Sequence, residues 1–251
     1  QNVFNPAMLA RVALLISFPL EMTTWVAPVP LASPGAPDFL EGLRITFLGI
    51  PNIDALSGAS ILGHVKTTFT QGKALSEALT DQYANPSLTL GFVRGSLGET
   101  SALLLFLGGL FLWANRIISW HIPTAMLASV ALLATAFHIL NPEHYTNAEF
   151  HLLSGGMMLG AFFIATDPVT SPSTWRGQLL FGAGCGGVVY VIRTWGGYPE
   201  GVAFAVLLMN ATTPLIDHYL RPRIYGRRRD GAPLRYSPEK PAVKKNGGRK
   251  P

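Results

Sequence analysis

The sequence predicts an all-α integral membrane protein built as a polytopic helical bundle. Of its 251 residues, 49% are hydrophobic and only 13% are charged, which is unlike the balance of a soluble domain. The chain also contains six apolar stretches that are long enough to cross about 30 Å of hydrocarbon as helices. These six predicted spans begin near Ala7, Thr100, Ile122, Phe150, Gly177 and Gly201.

The first predicted span is under way a few residues after Gln1, so we expect further sequence to precede it in the natural protein. The span does not resemble a signal peptide, because no basic segment stands before it and no cleavage-like pattern follows it. The single cysteine, Cys185, lies among glycines and is interpreted as a small residue at a close helix contact.

Positive charge is concentrated near the C-terminus, where eleven of the nineteen Lys and Arg residues follow residue 220. A basic tail beside a membrane helix marks the cytoplasmic side, and this uneven distribution argues against nucleic-acid binding. The tail is interpreted either as a solvated Pro- and Gly-rich extension or as a contact with anionic lipid. If all six spans cross, alternation places the loops 28–98, 141–149 and 195–201 outside.

The chain therefore divides into a first helix (1–27), an extracytoplasmic loop region (28–98), further transmembrane helices (99–220) and a basic tail (221–251). Glycines four residues apart, at Gly156 and Gly160 and again at Gly182 and Gly186, predict close helix packing. Ser96 and Glu99 have the spacing of a capping box at the start of the first helix of the region 99–220. Segments 6–15 and 199–208 match at Pro, Ala and two Leu, which suggests an inverted repeat or a chance match.

A small, polar stretch, DALSGAS from Asp54 to Ser60, contrasts with the apolar runs around it. The simplest interpretation is a turn. A serine-nucleophile elbow would need glycines two residues either side of the serine, and neither Ser57 nor Ser60 has them. A third interpretation is an accessible hydroxyl that a modifying enzyme reaches, with Asp54 positioning a metal-bound phosphate donor.

The pattern Asp-x-x-Ser-Gly-Ala-Ser resembles the acceptor motif at which a flavin transferase attaches FMN through a phosphoester. Four further segments are similar to the RnfD/NqrB family, the membrane flavin subunits of ion-translocating electron-transport complexes, and together the likeness runs from Phe4 to about Gly226. The segments are FNPAM (Phe4 to Met8), GSLGETS (Gly95 to Ser101), FFIATDPVT (Phe162 to Thr170) and RTWGGYPEGVAFAVLLMN (Arg193 to Asn210).

The resemblance implies about ten transmembrane helices in two inverted repeats, a urea-transporter-like fold of which this chain would hold the last helix of the first repeat and the second repeat. It implies FMN bound covalently to Ser60 on the periplasmic side. The family acceptor is usually Thr, and Ser60 lacks its stiffening methyl group. The expected FMN neighbours are Asp54, Ser57, Gly58, Ala59, Arg94, Gly98, Glu99 and Thr100.

The resemblance further implies a second, noncovalent flavin, riboflavin, towards the cytoplasmic side, where Asn5, Asp167 and Thr170 are candidates either for binding it or for capping helices. The family works in the bacterial inner membrane within an Rnf-type complex. The implied partners are a second covalent-FMN subunit and iron–sulfur subunits, and the implied chemistry couples ferredoxin/NAD oxidation and reduction to Na⁺ or H⁺ translocation.

Ionisable residues in or near the predicted spans are candidates for an ion pathway, although interface anchoring or a carbonyl-bonded histidine explains them as well. These candidates are Glu21, His138, Arg193 and Asp217. The scattered histidines and single cysteine predict no metal or iron–sulfur site in this chain. Two alternatives stay open: a small-solute channel of similar fold, and a subunit that only scaffolds a complex.

Overall fold

The computed structural model describes residues 3–26, 36–48, 57–71, 85–96, 99–221, 225–227 and 232–233. Its helices, numbered in chain order, are α1 (Pro6–Ser17), α2 (Phe39–Leu48), α3 (Ile61–Thr70), α4 (Asn85–Leu90), α5 (Ala102–Ala114), α6 (His121–Leu140), α7 (Ala148–Leu153), α8 (Met157–Leu159), α9 (Trp175–Trp195) and α10 (Val202–Tyr219). A π-helix (Gly160–Ile164) follows α8 directly. The prediction of a mostly helical protein is confirmed.

Two short strands are the exception to the helical architecture. β1 (Thr24–Val26) and β2 (Ser57–Ala59) form an antiparallel pair in which Thr24 lies opposite Ala59. The pairing joins the segment that follows α1 to the segment that precedes α3.

The main core lies where α6, α9 and α10 pack together. Buried apolar side chains from the three helices fill it, and Cys185 is fully buried among them. A Cβ atom on Gly182 would lie only 2.6 Å from the carbonyl oxygen of Ile122, and one on Gly186 would overlap the carbonyl of Met126. The predicted close approach at this glycine pair is confirmed, because any side chain here would separate the α6 and α9 backbones.

The stretch that begins near Phe150 is interrupted, so the prediction of one continuous helix there is wrong, whereas its crossing of the membrane stays a prediction. α7 ends at Leu153, and a turn through Gly155 precedes α8. Gly155 has a φ of +61°, a conformation that a side chain would oppose. Gly156 therefore lies in the turn rather than on a helix, whereas Gly160 allows the π-helix to approach Val202 of α10.

Among the described helices, one, His121–Leu140, is both long enough and apolar enough to cross a membrane. Pro6–Ser17 and Ala102–Ala114 are apolar but shorter. The number of six spans and the inverted-repeat fold stay predictions. α1 does run antiparallel to α10, because Asn5 contacts Asn210 and Arg11 contacts Glu200 at the start of that helix.

The chain separates into two compact units, residues 1–220 and 221–251. In the second unit, most of the basic tail lies outside the described residues, and Arg227 bridges to Pro233.

Candidate functional site

The candidate acceptor Ser60 lies between β2 and α3. Its hydroxyl accepts a hydrogen bond from the Gly63 amide (3.3 Å), and its carbonyl accepts one from the His64 amide (2.8 Å), so Ser60 caps the first turn of α3. Strand pairing fixes the backbone of the residues just before it. The sequence around Ser60 thus folds as a strand, a hydroxyl residue and a ten-residue helix.

A second, smaller core holds α3 in place. Ile61, Leu62 and Val65 pack there with Leu88 of α4 and Phe150 of α7, and all five side chains are buried. The position of Ser60 is therefore set from both sides along the chain, by the pairing of β2 with β1 before it and by the apolar packing of α3 after it.

Ser60, half-buried, opens onto a cleft at one end of the bundle. The cleft is bordered by β1, by the segment before α5 and by the loop between α9 and α10. Four of the predicted flavin-site residues line it together: Ser60, Arg94, Glu99 and Thr100. Trp25, Arg11 and Glu200 line it as well, and sequence reasoning did not single them out for this site.

The other predicted neighbours of Ser60 lie either in β2 or outside the described residues. Ser57, Gly58 and Ala59 form β2, whereas Asp54 and Gly98 lie outside the described residues. The predicted capping box is wrong in its position. The Ser96 amide does donate to Glu99 Oε1 (3.2 Å), but α5 starts only at Ala102 and is capped by Ser101.

Glu99 also belongs to a network of four charged side chains, of which Arg11, Glu99 and Glu200 line the cleft. Arg11 Nη2 lies 3.2 Å from Glu99 Oε2 and 3.6 Å from Glu200 Oε2, and Arg193 Nη2 lies 3.4 Å from Glu200 Oε1. Arg193 also donates to the carbonyl oxygens of His151 (2.6 Å) and Ser154 (3.0 Å). The network connects α1, α9 and the segments that precede α5 and α10.

A lysine on α3 ties this helix to the loop between α9 and α10. Lys66 Nζ donates to the carbonyl oxygens of Ile192 (3.3 Å) and Tyr198 (2.9 Å). Partial burial lowers the pKa of Lys66 from its ordinary value. The contact brings the acceptor helix, and the residue that caps it, to the same end of the bundle as Glu200.

The three candidates for a second flavin site lie along one side of α10. Asn5 Oδ1 caps α1 through the amides of Ala7 and Met8, and Asp167 accepts from Thr170 Oγ1 (3.0 Å). Asn5 is thus the helix cap that the alternative interpretation predicted, whereas Asp167 and Thr170 lie in a turn and α9 is capped by Thr174. The three candidates lie close to one another because α10 contacts both segments.

Two polar residues of α10, missed from sequence, make those contacts. Asn210 is fully buried, and in the amide orientation that hydrogen bonding favours its oxygen accepts from the Asn5 amide (3.1 Å). Thr213, one turn further on, donates to the carbonyl of Thr170 (3.0 Å). The available sequence signal for Asn210 was its place at the end of the segment Arg193 to Asn210, which resembles the family.

The ion-pathway candidates are spread over the molecule. Glu21 is exposed in the turn after α1. His138 Nδ1 lies 2.7 Å from the carbonyl oxygen of Tyr145, the carbonyl-bonded arrangement named as its alternative. Asp217 Oδ1 accepts from both the amide (3.1 Å) and the hydroxyl (3.2 Å) of Ser173. Arg193 alone among the four joins the charge network.

The cleft residues fit a phosphoester-linked flavin. Ser60 presents a half-buried hydroxyl to the cleft, at the N-terminus of α3, where free amides and the helix dipole favour an anion. Arg94 adds a cation on the same cleft wall, and Trp25 adds an aromatic surface. Within the described part of the chain, no three His, Cys, Asp or Glu side chains group as metal ligands would.

Fold and site together define a mostly helical protein with a cleft at one end that charged and apolar side chains line. The model of the NQR2, RnfD, RnfE family matches residues 1–226, and the chain belongs to this family. A relative from Halorhodospira halophila, described as a subunit of an ion-translocating oxidoreductase complex, is 57% identical to it, over 96% of this chain and 68% of that protein.

Two further relatives carry the same description. Identity is 58% with the protein of Stutzerimonas stutzeri, over 93% of this chain and 66% of the relative, and 45% with that of Vibrio atlanticus, over 90% and 66%. The chain thus spans about two thirds of the length of the curated relatives that it matches.

Proposed function

We propose that the chain is the flavin-carrying membrane subunit of an ion-translocating oxidoreductase complex, with FMN joined by a phosphoester to Ser60. The observation that carries the proposal is the convergence of Ser60, Arg94, Glu99 and Thr100 on one cleft. Ser60 belongs to one resemblance segment, Glu99 and Thr100 belong to another, and Arg94 directly precedes the second. Family membership favours this function over a small-solute channel, which would bind no flavin.

The residues of the chain bind and orient the group. Ser60 Oγ would bear the phosphate, and the first amides of α3 and the Arg94 guanidinium would balance its charge. Trp25 would border the ring, and Lys66 would keep α3 against the loop that carries Glu200. When bound, FMN supplies transfer of one or two electrons, while the protein sets its position and its access to water.

The proposal includes a second, noncovalent flavin, riboflavin, which the family resemblance implies. We expect it beside the polar face of α10, where Asn5, Asn210 and Thr170 meet. Chemical quantification checks this part separately: flavin released by denaturation is counted apart from flavin that stays on the chain, and Asn210→Leu is expected to lower only the released fraction.

We place the chain in the bacterial inner membrane, with the acceptor cleft on the periplasmic side and the basic tail on the cytoplasmic side. Two features support this placement. α5 exposes large apolar side chains, among them Leu104 and Phe111 with about two thirds of their surface accessible, as lipid-facing helices do (68% and 66%). The loops predicted to be outside meet in a second pocket, where Lys66, Tyr145 and Pro199 are among the lining residues.

The proposed partners are the other subunits of an Rnf-type complex, with a second covalent-FMN subunit and iron–sulfur subunits that exchange electrons between ferredoxin and NAD. The descriptions of the relatives support membership of a multisubunit oxidoreductase complex. The individual partners are those that the family resemblance implies. The chain is not catalytic alone in this scheme. It relays electrons, and the complex couples them to the movement of Na⁺ or H⁺.

The decisive test is mass spectrometry of the peptide that contains Ser60, from protein produced in cells that hold the flavin transferase. We expect the mass of FMN less water on Ser60, and flavin fluorescence of the chain on a denaturing gel. Ser60→Ala should lose both signals, and Ser60→Thr should keep them. Thr67→Ala, which removes an exposed hydroxyl from the same helix, is the control. Full covalent flavin in Ser60→Ala would overturn the proposal.

A further inference from the structure

In the network of four charged side chains beside the cleft, the two carboxylates do not have equal numbers of guanidinium partners. A single guanidinium nitrogen, Arg11 Nη2, lies between the carboxylates of Glu99 (3.2 Å) and Glu200 (3.6 Å). Arg193 approaches only Glu200 among these acids, at 3.4 Å, and donates two further hydrogen bonds to backbone carbonyls. Two acids thus share Arg11, and the second guanidinium is partly committed to the backbone.

Accessibility separates the two acids. The side chain of Glu99 is 5% exposed and that of Arg193 is 1% exposed, whereas those of Glu200 and Arg11 are 19% and 28% exposed. Glu200 is therefore the carboxylate that is largely buried and still open to the cleft. A proton can reach it from the water in the cleft without crossing the packed core.

The surroundings of Glu200 favour its protonated form more than water does. Burial raises its pKa, and the neighbouring Glu99 carboxylate raises it further. The guanidinium groups of Arg193 and Arg11 and the hydrogen bond from the Gly156 amide (2.7 Å) oppose this shift. The net direction of the pKa shift is upward.

We propose that Glu200 takes up a proton when the flavin on Ser60 is reduced, so that the cleft is a redox-linked proton site. The inference rests on the proposed function, because it needs a flavin in this cleft. Ser60 and Glu200 line the same cleft, and negative charge added there raises the proton affinity of a nearby carboxylate.

Electrons and protons balance in this step. A donor protein of the complex, through an iron–sulfur or flavin group, is oxidised by two electrons, and FMN is reduced by the same two. One proton enters the flavin ring, and a second proton from water forms an O–H bond at a Glu200 carboxylate oxygen. Reoxidation by an acceptor protein of the complex removes both electrons and releases both protons.

The charged groups that face Glu200 explain why the response belongs to this residue. They are Arg11 from α1, Glu99 from the segment before α5 and Arg193 from α9, and Arg94 lines the same cleft. When Glu200 becomes neutral, Arg11 keeps Glu99 as its partner, and Arg193 keeps its two carbonyl partners. Both guanidinium groups that contact Glu200 thus retain a hydrogen-bond acceptor.

The test uses the assembled oxidoreductase complex that contains the natural full-length protein. Redox titration of the covalent flavin across pH is expected to give two protons per two electrons in the unaltered protein and one in Glu200→Gln. Glu143→Gln is the matched control, because it neutralises an exposed glutamate of a loop at the same end of the bundle and should keep two. An unchanged proton count in Glu200→Gln would overturn the inference.

Infrared difference spectroscopy tests the unaltered complex directly. Reduction should produce the carbonyl band of a protonated carboxylic acid, and this band should be absent in Glu200→Gln. If that variant does not assemble, Glu200→Asp should assemble and move the band. No such band in the unaltered complex, or a band at the same frequency in Glu200→Asp, contradicts the inference. Absence of flavin from Ser60 contradicts the proposed function instead, so the two failures are distinguishable.

Discussion

Substitution of Gly186 by alanine tests the claim that α6 and α9 pack backbone to backbone. A Cβ atom at this position would overlap the Met126 carbonyl oxygen and the Ser129 hydroxyl. The serine side chain can rotate, but the carbonyl belongs to a helix and moves only with it. Overpacking of this kind costs about 1–3 kcal/mol, and α9 must shift away from α6 to accept the methyl group.

Gly187, the next residue of the same helix, is the matched control. A Cβ atom there meets nothing within 4 Å, so Gly187→Ala should leave the packing unchanged. Alanine favours a helix over glycine by about 0.5–1 kcal/mol, so this variant should be neutral or slightly more stable. The same methyl group, moved by one residue, thus reverses the sign of the expected effect.

The free energy of unfolding in detergent or bicelles, measured for both variants by the same method, decides the matter. We expect Gly186→Ala to be less stable than Gly187→Ala by about 1–3 kcal/mol, the cost of overpacking, because the gain in helix propensity is common to both variants. Equal stability of the two variants would show that α6 and α9 do not approach as closely as the structure describes.

The other predictions concern charge. Arg193→Met should destabilise the protein by about 3–5 kcal/mol, because it removes the buried guanidinium group that contacts the Glu200 carboxylate. Arg176→Met, which changes an exposed residue, should cost about 1 kcal/mol or less in the same unfolding assay. The pKa of Lys66 is lower in the folded state than its ordinary 10.5, so the folded state binds fewer protons between the two values and stability rises with pH there. Lys66→Met should remove this rise, and a stability difference from the unaltered protein that does not change with alkaline pH would contradict the assignment.

Much of the candidate site could be predicted from short motifs. Ser60 and Glu99 were found because each lies in a segment of recognisable residue order, Arg94 was found because it directly precedes the second segment, and all three line one cleft. Sequence could not reveal Arg11 or Glu200 as members of the network. Each stands alone in its segment, and their relation depends on α1 lying antiparallel to α10. Likewise, the Gly155 turn that interrupts a long apolar run carries no hydropathy signal.

The sequence by itself determined the class of the protein, its family and the chemical identity of the candidate acceptor residue. These follow from composition and from local residue order, which every chain carries before it folds. Only the tertiary structure decided which charges share a cleft, which glycines let helices touch and which end of α10 faces Ser60. Those relations join residues far apart in the chain, and packing brings them together through apolar contacts that any of several side chains could make.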